Sequence, residues 1–452
     1  MTIAEHAAHE VRSTVSWGLA HGLPALLIRR AARRGDLQAD LILSRAGGVD
    51  RSHEVVEEIR AQGPLYKGSL GHVATSHAAV REVLTSDDFR TGFPTTEGRI
   101  GRLAQWSAPR TVHPVEPPSL LVTEPPDHTR YRKLVTRVFT ARAVKRLTDR
   151  TQEIADQLLD DLAPRATDPI DLVEAYCSLL PVTVIAEVLG VPDAERPRVL
   201  EFGAAAAPSL DLGLGFALHR RVRDALQSFD AWLGEHLEHL RRHPGDNLLS
   251  QLVAVRDEEG GLDERELKAT AGLVLAAGFE TTVNLLGNGI ALLHDHPEQR
   301  KLLEHDPGLW TNAVEEVLRL DPPVLLTGRM AQRDTTVAGR PVSAGSMVTT
   351  VLSGANRDPE VFADPLVFDV TRENARDHIS FSSGRHHCLG AALARMEGEV
   401  GLRSLWERYP DLRLAPGARR RTTRILRGFE TLPAVLRPSW TCLLYTSDAA
   451  DE

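Results

Sequence analysis

The residues of this chain that are best suited to chemistry surround Cys388, in the segment Phe381-Ser-Ser-Gly384-Arg-His386-His387-Cys388-Leu-Gly390. A helical run from Ala391 to Glu407 follows directly. A cysteine at a helix N-terminus lies where free backbone N–H groups and the helix dipole favour the thiolate over the thiol. The two flanking glycines would let the backbone approach a flat macrocycle without side-chain clashes. The segment therefore suits a planar ligand above an anionic sulfur.

Two other interpretations of Cys388 compete with that of a cofactor ligand. A lone cysteine is more often a buried and inert residue, but the glycines and histidines around this one argue against that interpretation. A zinc site made of His386, His387 and Cys388 would need adjacent side chains to converge, and no second Cys or His pair at ligand spacing follows. The cofactor ligand is therefore the favoured interpretation.

A second constellation, Ala276-Ala-Gly278-Phe-Glu280-Thr281-Thr282, lies inside a long helical pattern. Small or apolar residues recur at spacings of three and four, which places Gly278 and Thr281 on one face. An internal glycine costs a helix about 1 kcal/mol relative to alanine, and a carboxylate among apolar residues is unfavourable unless it is solvated or paired. Both costs at one place indicate a functional gap. The alternative is structural: Gly278 would admit a crossing helix and Glu280 would form a core ion pair.

Four cationic or imidazole side chains form a third set. His128 and Arg132 are four residues apart and share a helical face, whereas Arg329 and His386 lie far along the chain. Each residue alone is ordinarily a surface group. Together they could pair with two carboxylates of a bound ligand, which suits the fork of donors on arginine and the donors of histidine.

The elements that must position these residues are mostly helices. Helical periodicity dominates from Pro126 to about Leu320, with amphipathic runs at 144–162, 172–189, 218–242 and 263–294. Strand-like segments are confined to Leu65–Ala74 and Thr335–Val351, and irregular stretches are expected at 91–118 and 204–215. The sequence predicts a mainly α protein with small β-sheets (α+β), with one domain over residues 1–440.

Composition bounds the functional class and the compartment. A net charge of −9 over 452 residues gives no reason to expect nucleic acid as a partner. Cys177, Cys388 and Cys442 are too few for a disulfide framework, which indicates a reducing, cytoplasmic setting. Residues 441–452 look like a translated sequencing-library adapter, so they are predicted to be a non-native tail.

Two apolar segments could be mistaken for membrane or targeting sequences. The run from Trp17 to Ile28 is short and ends in Arg29 and Arg30, so it predicts an amphipathic terminal helix and not a signal peptide. The segment from Ala271 to Leu293 is interrupted by Glu280 and two asparagines, so it predicts a buried central helix and no membrane span.

Taken in order along the chain, these features resemble the soluble bacterial members of the cytochrome P450 family, up to about Pro438. The motifs are Pro125-Pro126-Asp127-His128-Thr129-Arg130-Tyr131-Arg132, Gly278-x-Glu280-Thr281-Thr282, Glu316-x-x-Arg319, Arg329-x-Ala331-x-x-Asp334 and Phe381-x-x-Gly384-x-His386-x-Cys388-x-Gly390. The Glu-x-x-Arg pair alone would be taken for a solvated surface bridge worth under about 1 kcal/mol. One departure is Ser382, where many members have glycine.

The resemblance implies a haem b cofactor with Cys388 as the axial thiolate and metal ligand. The remaining cofactor-binding residues that it implies are His128, Arg132, Gly278, Arg329, Phe381, Gly384, His386 and Gly390, with both arginines and both histidines on the propionates. Glu316 and Arg319 would form a buried structural pair that Arg372 completes. The implied catalytic residues are Thr281, as a hydrogen-bond partner of dioxygen at the haem, and Glu280, as a proton relay through water.

The implied activity is that of a monooxygenase, which inserts one atom of dioxygen into a lipophilic small molecule. The electrons would come from NAD(P)H through a separate ferredoxin or flavodoxin and a reductase, with docking near Arg385 and Arg395. The alternatives are a peroxide-driven or rearrangement-catalysing haem-thiolate enzyme and a haem sensor without enzymatic activity. Substrate-pocket residues are expected from 91–118, 204–215, 275–278 and 324–327, whose aliphatic character indicates a lipophilic substrate.

Overall fold

Helices make up most of the computed structural model, which describes residues 3–44, 50–92, 98–108, 111–136, 141–254 and 262–436. The first helices are α1 Ile3–Trp17, α2 Leu23–Ala32, α3 Leu37–Leu43, α4 Ser52–Ala61, α5 His77–Thr85, α6 Gly98–Ser107, α7 Asp127–Thr136, α8 Ala141–Leu162, α9 Leu179–Leu189 and α10 Arg196–Ala206. They are followed by α11 Phe216–Arg242, α12 Leu248–Ala254, α13 Glu264–Asp295, α14 Pro297–His305, α15 Trp310–Leu320, α16 Leu352–Ala355 and α17 Ala391–Arg408. The adapter-like tail at 441–452 lies outside the described residues.

Within the described ranges, short strands form four small sheets at the margins of the helical body. The strands are β1 Tyr66–Gly68, β2 Gly71–Ala74, β3 Phe89–Arg90, β4 Pro169–Asp171, β5 Leu326–Ala331, β6 Thr335–Val337, β7 Arg340–Val342, β8 Met347–Val351, β9 Arg413–Leu414, β10 Arg419–Arg420, β11 Phe429–Thr431 and β12 Pro433–Val435. The largest sheet has the order β1-β2-β8-β5-β3, in which β2 and β8 are parallel and the other neighbours antiparallel. The others are β4-β12-β9 and the pairs β6-β7 and β10-β11. The predicted mainly α fold with small sheets is confirmed.

A side-chain cap sets the start of the central helix α13. The Asp263 carboxylate accepts a hydrogen bond from the Glu266 backbone N–H at 2.8 Å, and the Glu266 carboxylate accepts one from the Asp263 backbone N–H at 2.9 Å. This reciprocal capping box satisfies N–H groups that the first helical turn leaves unpaired. Glu266 also accepts hydrogen bonds from Arg130 at 2.6 Å and Tyr131 at 2.7 Å. The cap therefore ties α7, the helix of the predicted His128 and Arg132, to α13.

The main hydrophobic core lies where α13 packs against α9 and α17. Two glycines allow the helices to come this close, because a Cβ on Gly398 would lie 2.9 Å from Leu285 and a Cβ on Gly289 would lie 2.6 Å from Leu402. Side chains at these positions would overlap with close-packed leucines. The helix that begins just after Cys388 is thus held firmly against the second half of α13.

Both apolar segments form helices of the predicted kind, one buried at the centre and one amphipathic near the N-terminus. Helix α13 is long and apolar enough to cross a membrane, yet 67% of its most apolar window is buried inside the protein, as in a core helix. Near the N-terminus, α2 buries Ile28 and Ala31 and exposes Leu26 and Leu27, so it is amphipathic.

Three predictions about the elements are wrong. Strands are not confined to two segments, because β3, β4, β5 and the strands after residue 412 were not anticipated. Most of these strands span two or three residues, which is too short for an alternating pattern. The stretch 91–118 contains helix α6, and the stretch 204–215 begins inside helix α10. Glycine and proline in these stretches mark the ends of helices and not continuous irregular chain.

Candidate functional site

The Cys388 loop closes on itself before α17 begins. The Cys388 backbone N–H donates to the Phe381 carbonyl at 2.9 Å, and helix α17 starts three residues later with Gly390 as its N-cap. The Cys388 side chain is exposed, although protein surrounds it closely enough for burial to raise the pKa of the thiol. The Gly390 backbone N–H, Arg132 and Arg395 act in the opposite direction. The thiol therefore lies in a cleft, accessible to a ligand and close to groups that favour its anion.

Two residues of this loop have a left-handed backbone, Ser382 with φ 62° and Gly384 with φ 70°. A Cβ on Gly384 would lie 2.5 Å from the Leu84 carbonyl oxygen, so this glycine is required by α5 and not by approach to a planar ligand. Gly390 differs, because no described atom outside its immediate neighbours lies within 4 Å of the position of its Cβ. Of the two glycines, Gly390 is the one that leaves room beside the cysteine.

Imidazoles from α7 and from the cysteine loop meet beside the cleft. The rings of His128 and His386 are 4.4 Å apart between centroids, and the buried Nε2 of His128 has no hydrogen-bond partner among the described groups. Burial, with contributions from His386 and Arg132, lowers the pKa of His128 to about 4. A buried donor or acceptor without a partner is unfavourable, which indicates that a polar ligand group belongs there.

Glu124 is a partner of this cluster that the sequence analysis missed. Its carboxylate lies 3.2 Å from His386 Nε2, accepts a hydrogen bond from Arg385 at 3.1 Å and another from the Thr91 backbone N–H at 2.7 Å. Burial raises the pKa of Glu124, but the hydrogen bonds from His386 and Thr91 outweigh it and bring the pKa to about 2. Glu124 directly precedes the proline pair of a quoted motif, which was the available signal.

Arg329 of β5 is a buried cation that forms no ion pair in the described part of the chain, although Glu124 interacts with it electrostatically. Only 4% of its surface is exposed, and its guanidinium donates to Thr327 Oγ1 at 3.1 Å and to the Gly328 carbonyl at 2.8 Å, both from its own strand. Burial lowers its pKa to about 10. Arg132 on α7 is half-buried and likewise forms no ion pair with a described residue. Both guanidiniums are available for a carboxylated ligand near Cys388.

The zinc alternative finds no support at this site. Across the described ranges, no three side chains of His, Cys, Asp or Glu are placed to hold a metal ion between them. The set of one accessible thiol, an unpartnered imidazole nitrogen and two arginines instead fits a metal-bearing macrocycle that carries carboxylates.

The open face of α13 carries Thr281. Ala277 is exposed and Thr281 partly exposed within a helix that is otherwise mostly buried. The Thr281 hydroxyl donates to the Ala277 carbonyl at 2.8 Å, and the Thr282 hydroxyl donates to the Gly278 carbonyl at 3.1 Å. A hydroxyl that donates to the carbonyl four residues earlier competes with the backbone N–H for that carbonyl, which slightly destabilises the helix at this point.

Both structural alternatives for the central motif are present. Glu280 is buried, and its Oε1 lies 2.7 Å from Nη1 of Arg421, in the segment between β10 and β11. Burial raises the pKa of Glu280 and Arg421 opposes the rise. A Cβ on Gly278 would lie 3.2 Å from Ile185, so the glycine admits α9. The positions of this helix that a ligand can reach are thus Ala277 and Thr281.

Glu397 on α17 is a second residue that the sequence analysis missed. It is 1% exposed, its Oε2 has no hydrogen-bond partner among the described groups, and it interacts with the Thr282 side chain. Burial raises its pKa to about 8, against the effect of Thr282. Its position four residues after the buried Leu393 placed it on the buried face of the predicted helix, which was a usable signal.

The arginines that were predicted for a structural pair are paired, and so are the two that were predicted for docking. Glu316 and Arg319 form a fully buried pair with contacts of 2.6 and 2.7 Å, and Arg372 reaches Glu316 at 3.1 Å, which confirms the predicted structural triad. Arg395 reaches Glu315 at 2.8 Å, and Arg385 pairs with Glu124. These two arginines are therefore engaged inside the protein and are poor candidates for a docking surface.

Two apolar cavities flank the central helix and the largest sheet. The first, of about 460 Å³, is lined by Val112, Pro114, Phe202, Ala206, Leu275 and Ala276 among others. The second, of about 590 Å³, is lined mainly by aliphatic residues that include Leu210, Leu212, Leu325, Leu326 and Ile425. Three expected pocket segments, in 91–118, 204–215 and 275–278, contribute to the first cavity, and the segment 324–327 contributes to the second.

Sequence and fold comparisons agree on one family. The sequence model of the cytochrome P450 family matches residues 209–306 and 308–426. The cytochrome P450 140 of Mycobacterium bovis is 49% identical over 95% of this chain and 99% of its own length. The vitamin D(3) 25-hydroxylase of Pseudonocardia autotrophica is 39% identical over 85% of this chain and 94% of its own length. The ligand-free Mycobacterium smegmatis CYP164A2 structure superposes with a TM-score of 0.78 at 33% identity, over 88% of this chain and 99% of that one.

Proposed function

The chain belongs to the cytochrome P450 family and is a monooxygenase of the haem-thiolate type, and on that premise we propose that it oxidises a lipophilic small molecule. One atom of dioxygen enters the substrate, and the other leaves as water. The electrons come from NAD(P)H through a separate ferredoxin or flavodoxin and its reductase, in the cytoplasm. The three cysteines of this chain are too few to hold an iron–sulfur cluster of its own.

The observation that carries the proposal is the set of unsatisfied groups around Cys388. The thiol is accessible, the buried His128 Nε2 has no described partner, and the buried Arg329 forms no ion pair with a described acid, although Glu124 interacts with it electrostatically. Leaving such groups buried and unpaired is unfavourable by about 1–3 kcal/mol each, and by more for a charge. A carboxylated macrocycle would satisfy all three at once.

We propose haem b as that group, with Cys388 as the residue that would bind its iron. Arg132, Arg329, His128 and His386 would hold the propionates, Phe381, Gly384 and Gly390 would shape the cysteine loop, and Gly278 would contribute from α13. Haem supplies the activation of dioxygen, and a thiolate ligand favours cleavage of the O–O bond. The protein contributes position and protons.

We assign proton management to Thr281 and Glu280. The Thr281 Oγ1 proton lies on the open face of α13, bonded to the Ala277 carbonyl, and can turn outwards by giving up that one bond while the backbone–backbone hydrogen bonds of the helix stay intact. Glu280 is paired with Arg421, so a relay through its carboxylate requires that pair to open. The gating of Glu280 by Arg421 is therefore part of the proposed role.

The substrate class rests on the linings of the two cavities. Both are predominantly aliphatic or aromatic, and such pockets take ligands by burial of apolar surface. The relative named vitamin D(3) 25-hydroxylase, by its name, acts on a lipophilic molecule of compatible kind.

The proposal is tested on the purified protein in three steps. The ferrous carbon monoxide complex should show the thiolate-type absorption band, and Cys388→Ser should lose it while Cys177→Ser, at a buried cysteine away from the loop, keeps it. Ferric difference spectra with steroids, terpenes, fatty acids and polyketides then identify a ligand. Turnover with isotopically labelled dioxygen should place one labelled atom in the product. A thiolate band in Cys388→Ser, or a product without label, contradicts the assignment.

A further inference from the structure

Three histidines from distant parts of the chain meet beside the first cavity. His21 lies in the turn Gly18–Gly22 between α1 and α2, His113 in the segment 111–118, and His219 near the start of α11. The rings of His21 and His219 are 5.1 Å apart between centroids, and His113 interacts electrostatically with both. These three residues, called the histidine cluster below, join segments that are far apart in the sequence.

The hydrogen bonding of the histidine cluster suits neutral imidazoles. The Val115 backbone N–H donates to His113 Nδ1 at 3.3 Å, so this nitrogen accepts a hydrogen bond, as it does only in the neutral ring. The Nδ1 of His21 is buried and has no hydrogen-bond partner among the described groups. A charged imidazole donates from both nitrogens, so protonation would break the bond at His113 and leave a buried donor at His21 without an acceptor.

Cations surround His21 and His219. Burial lowers the pKa of His21 to about 4, with contributions from the other two histidines and from Arg424. Burial and Arg223 lower the pKa of His219, and Asp224 opposes them. Asp224 is also paired with Arg223 at 2.8 Å. A proton on either histidine is therefore unfavourable while the cluster is assembled.

The charged groups on the remaining elements do not compensate for a proton on His113. Burial, followed by the histidine of α11, lowers the pKa of His113 to about 4, and no described carboxylate raises it. Burial raises the pKa of Glu116, three residues further on, and Arg265 of α13 opposes the rise. The acid on α1, Glu10, is engaged by two cations of α11, Arg220 and Arg223.

The histidine cluster closes one wall of the first cavity. Val112 and Pro114, on either side of His113, line that cavity, and so does Leu226, on the same helix as the third histidine. A separation of the segment 111–118 from α11 would therefore open the cavity to solvent.

We propose that the histidine cluster is a proton-sensitive closure of the first cavity. While its imidazoles are neutral, they pack together and hold the segment 111–118 against α11 and the turn Gly18–Gly22. When they gain protons they repel one another, the segment 111–118 leaves α11, and the cavity opens. The opening depends on the cluster alone, whereas its use in admitting a substrate rests on the proposed oxidation of a lipophilic molecule.

The direction of the pH effect follows from the two environments of the histidines. In the open form the imidazoles meet water and regain an ordinary pKa of about 6.5. In the closed form His21 and His113 have pKa values of about 4. The closed form is therefore fully favoured above about pH 6.5 and loses its advantage as the pH falls towards 4. Between pH 7.5 and 5.5 the ratio of open to closed protein should rise about tenfold for each of these two histidines.

The test is the rate at which N-ethylmaleimide modifies a cysteine placed inside the cavity by Val112→Cys, in the haem-loaded protein at pH 7.5 and 5.5. The rate, followed by mass spectrometry of the labelled peptide, is divided by that of Ala163→Cys, at an exposed position, which cancels the effect of pH on the thiol itself. This ratio should rise between about tenfold and a hundredfold at the lower pH. Adding His21→Gln and His113→Gln should abolish the rise. Adding His113→Lys instead should raise the ratio already at pH 7.5, where acid cannot act on the rest of the protein.

The matched control is His239→Gln with His243→Gln, a stacked and exposed histidine pair at the other end of α11, which should leave the rise intact. A ratio that does not change with pH overturns the proposal. So does a rise that persists in the His21 and His113 double variant, a low ratio in His113→Lys at pH 7.5, or loss of the rise in the control pair. The thiolate-type spectrum, measured in parallel, reports on the proposed function independently of the cavity.

Discussion

The Glu280 carboxylate on the central helix lies 2.7 Å from the guanidinium of Arg421, which belongs to the segment between β10 and β11. The chain thereby joins the helix that faces the cleft to its own C-terminal sheet region through a buried charge pair. Burial raises the pKa of Glu280 and the guanidinium holds the rise in check. The charge state of Glu280 therefore depends on a residue that touches no part of the cysteine loop in the described contacts.

Replacing Arg421 by Gln is expected to raise the pKa of Glu280 further and to destabilise the fold in a pH-dependent way. When the pKa of a buried carboxyl is raised in the folded protein, the fold tolerates the protonated form best. The loss of unfolding free energy in Arg421→Gln should therefore be small near pH 5 and larger near pH 8. Leaving a buried charge unpaired costs up to about 3–5 kcal/mol. Urea unfolding of both proteins at the two pH values measures the difference. Arg421→Lys, which keeps the charge, should lose less at the higher pH, and a loss independent of pH would count against the ion pair.

Glu397 predicts a second pH effect with a defined window. Its pKa is raised to about 8, from an ordinary value of 4.5, because it is buried. The folded state holds a proton that the unfolded state releases, so the stabilisation is full below about pH 4.5 and is lost as the pH rises through about 8. Within this window the unfolding free energy should fall by about 1.4 kcal/mol per pH unit from this residue.

The variant Glu397→Gln keeps the neutral shape and should flatten that part of the stability profile. Above pH 7 it should be as stable as the unmodified protein or more so, as judged by urea unfolding at a series of pH values. Glu407→Gln, at an exposed position of the same helix, should leave the profile unchanged. An unaltered slope in Glu397→Gln would show that the carboxyl is ionised in the folded protein.

The sequence predicted the cysteine loop and the central helix because each is marked by a local spacing, whereas the Glu316–Arg319–Arg372 triad followed only from the family resemblance. The pairing of Glu280 with Arg421 could not be predicted in the same way, because 140 residues separate them in the sequence and nothing local marks Arg421 as a partner. Gly384 was predicted as special for the wrong reason, since its neighbour is the Leu84 carbonyl of a distant helix. Spacing reveals which residues share a face, whereas tertiary packing decides what that face meets.

Ser382 is the departure from the family motif that the sequence analysis noted, and its backbone is unusual for a serine. Its φ of 62° lies in the left-handed region, and its buried hydroxyl has no described hydrogen-bond partner. This conformation costs a residue with a Cβ about 1–2 kcal/mol. Ser382→Gly should therefore raise the thermal midpoint, whereas Ser383→Gly, at an extended φ of −149°, should lower it or leave it unchanged. Equal shifts in the two variants would refute the strain at Ser382.

Thr281→Ala should separate oxygen consumption from product formation. The variant keeps the cysteine loop and both cavities, so haem content and substrate affinity should stay within about twofold. Loss of the hydroxyl removes a proton donor from the open face of α13, and a relay of this kind typically contributes about 10²–10⁴-fold. Electrons should then appear as hydrogen peroxide, measured against NAD(P)H consumed. Thr281→Ser should restore most of the coupling, and unchanged coupling in Thr281→Ala would remove Thr281 from the relay.

A substitution of Arg329 should have opposite effects on the stability of the haem-free protein and on haem binding. Its guanidinium is buried and forms no ion pair with a described acid, and burial lowers its pKa in spite of the electrostatic interaction with Glu124. In the haem-free protein it is therefore a liability, and Arg329→Met should stabilise that form against urea. In the haem-loaded protein the same change removes a charge-assisted hydrogen bond worth about 1.5–3 kcal/mol, so haem should transfer to a scavenging apoprotein about ten- to hundredfold faster. Arg333→Gln, at an exposed arginine four residues further along the chain, should change neither the stability of the haem-free protein nor the rate of haem transfer. If Arg329→Met weakened both forms alike, the residue would be a structural cation and the propionate assignment would be lost, because only a ligand carboxylate makes the buried charge favourable in one form and costly in the other.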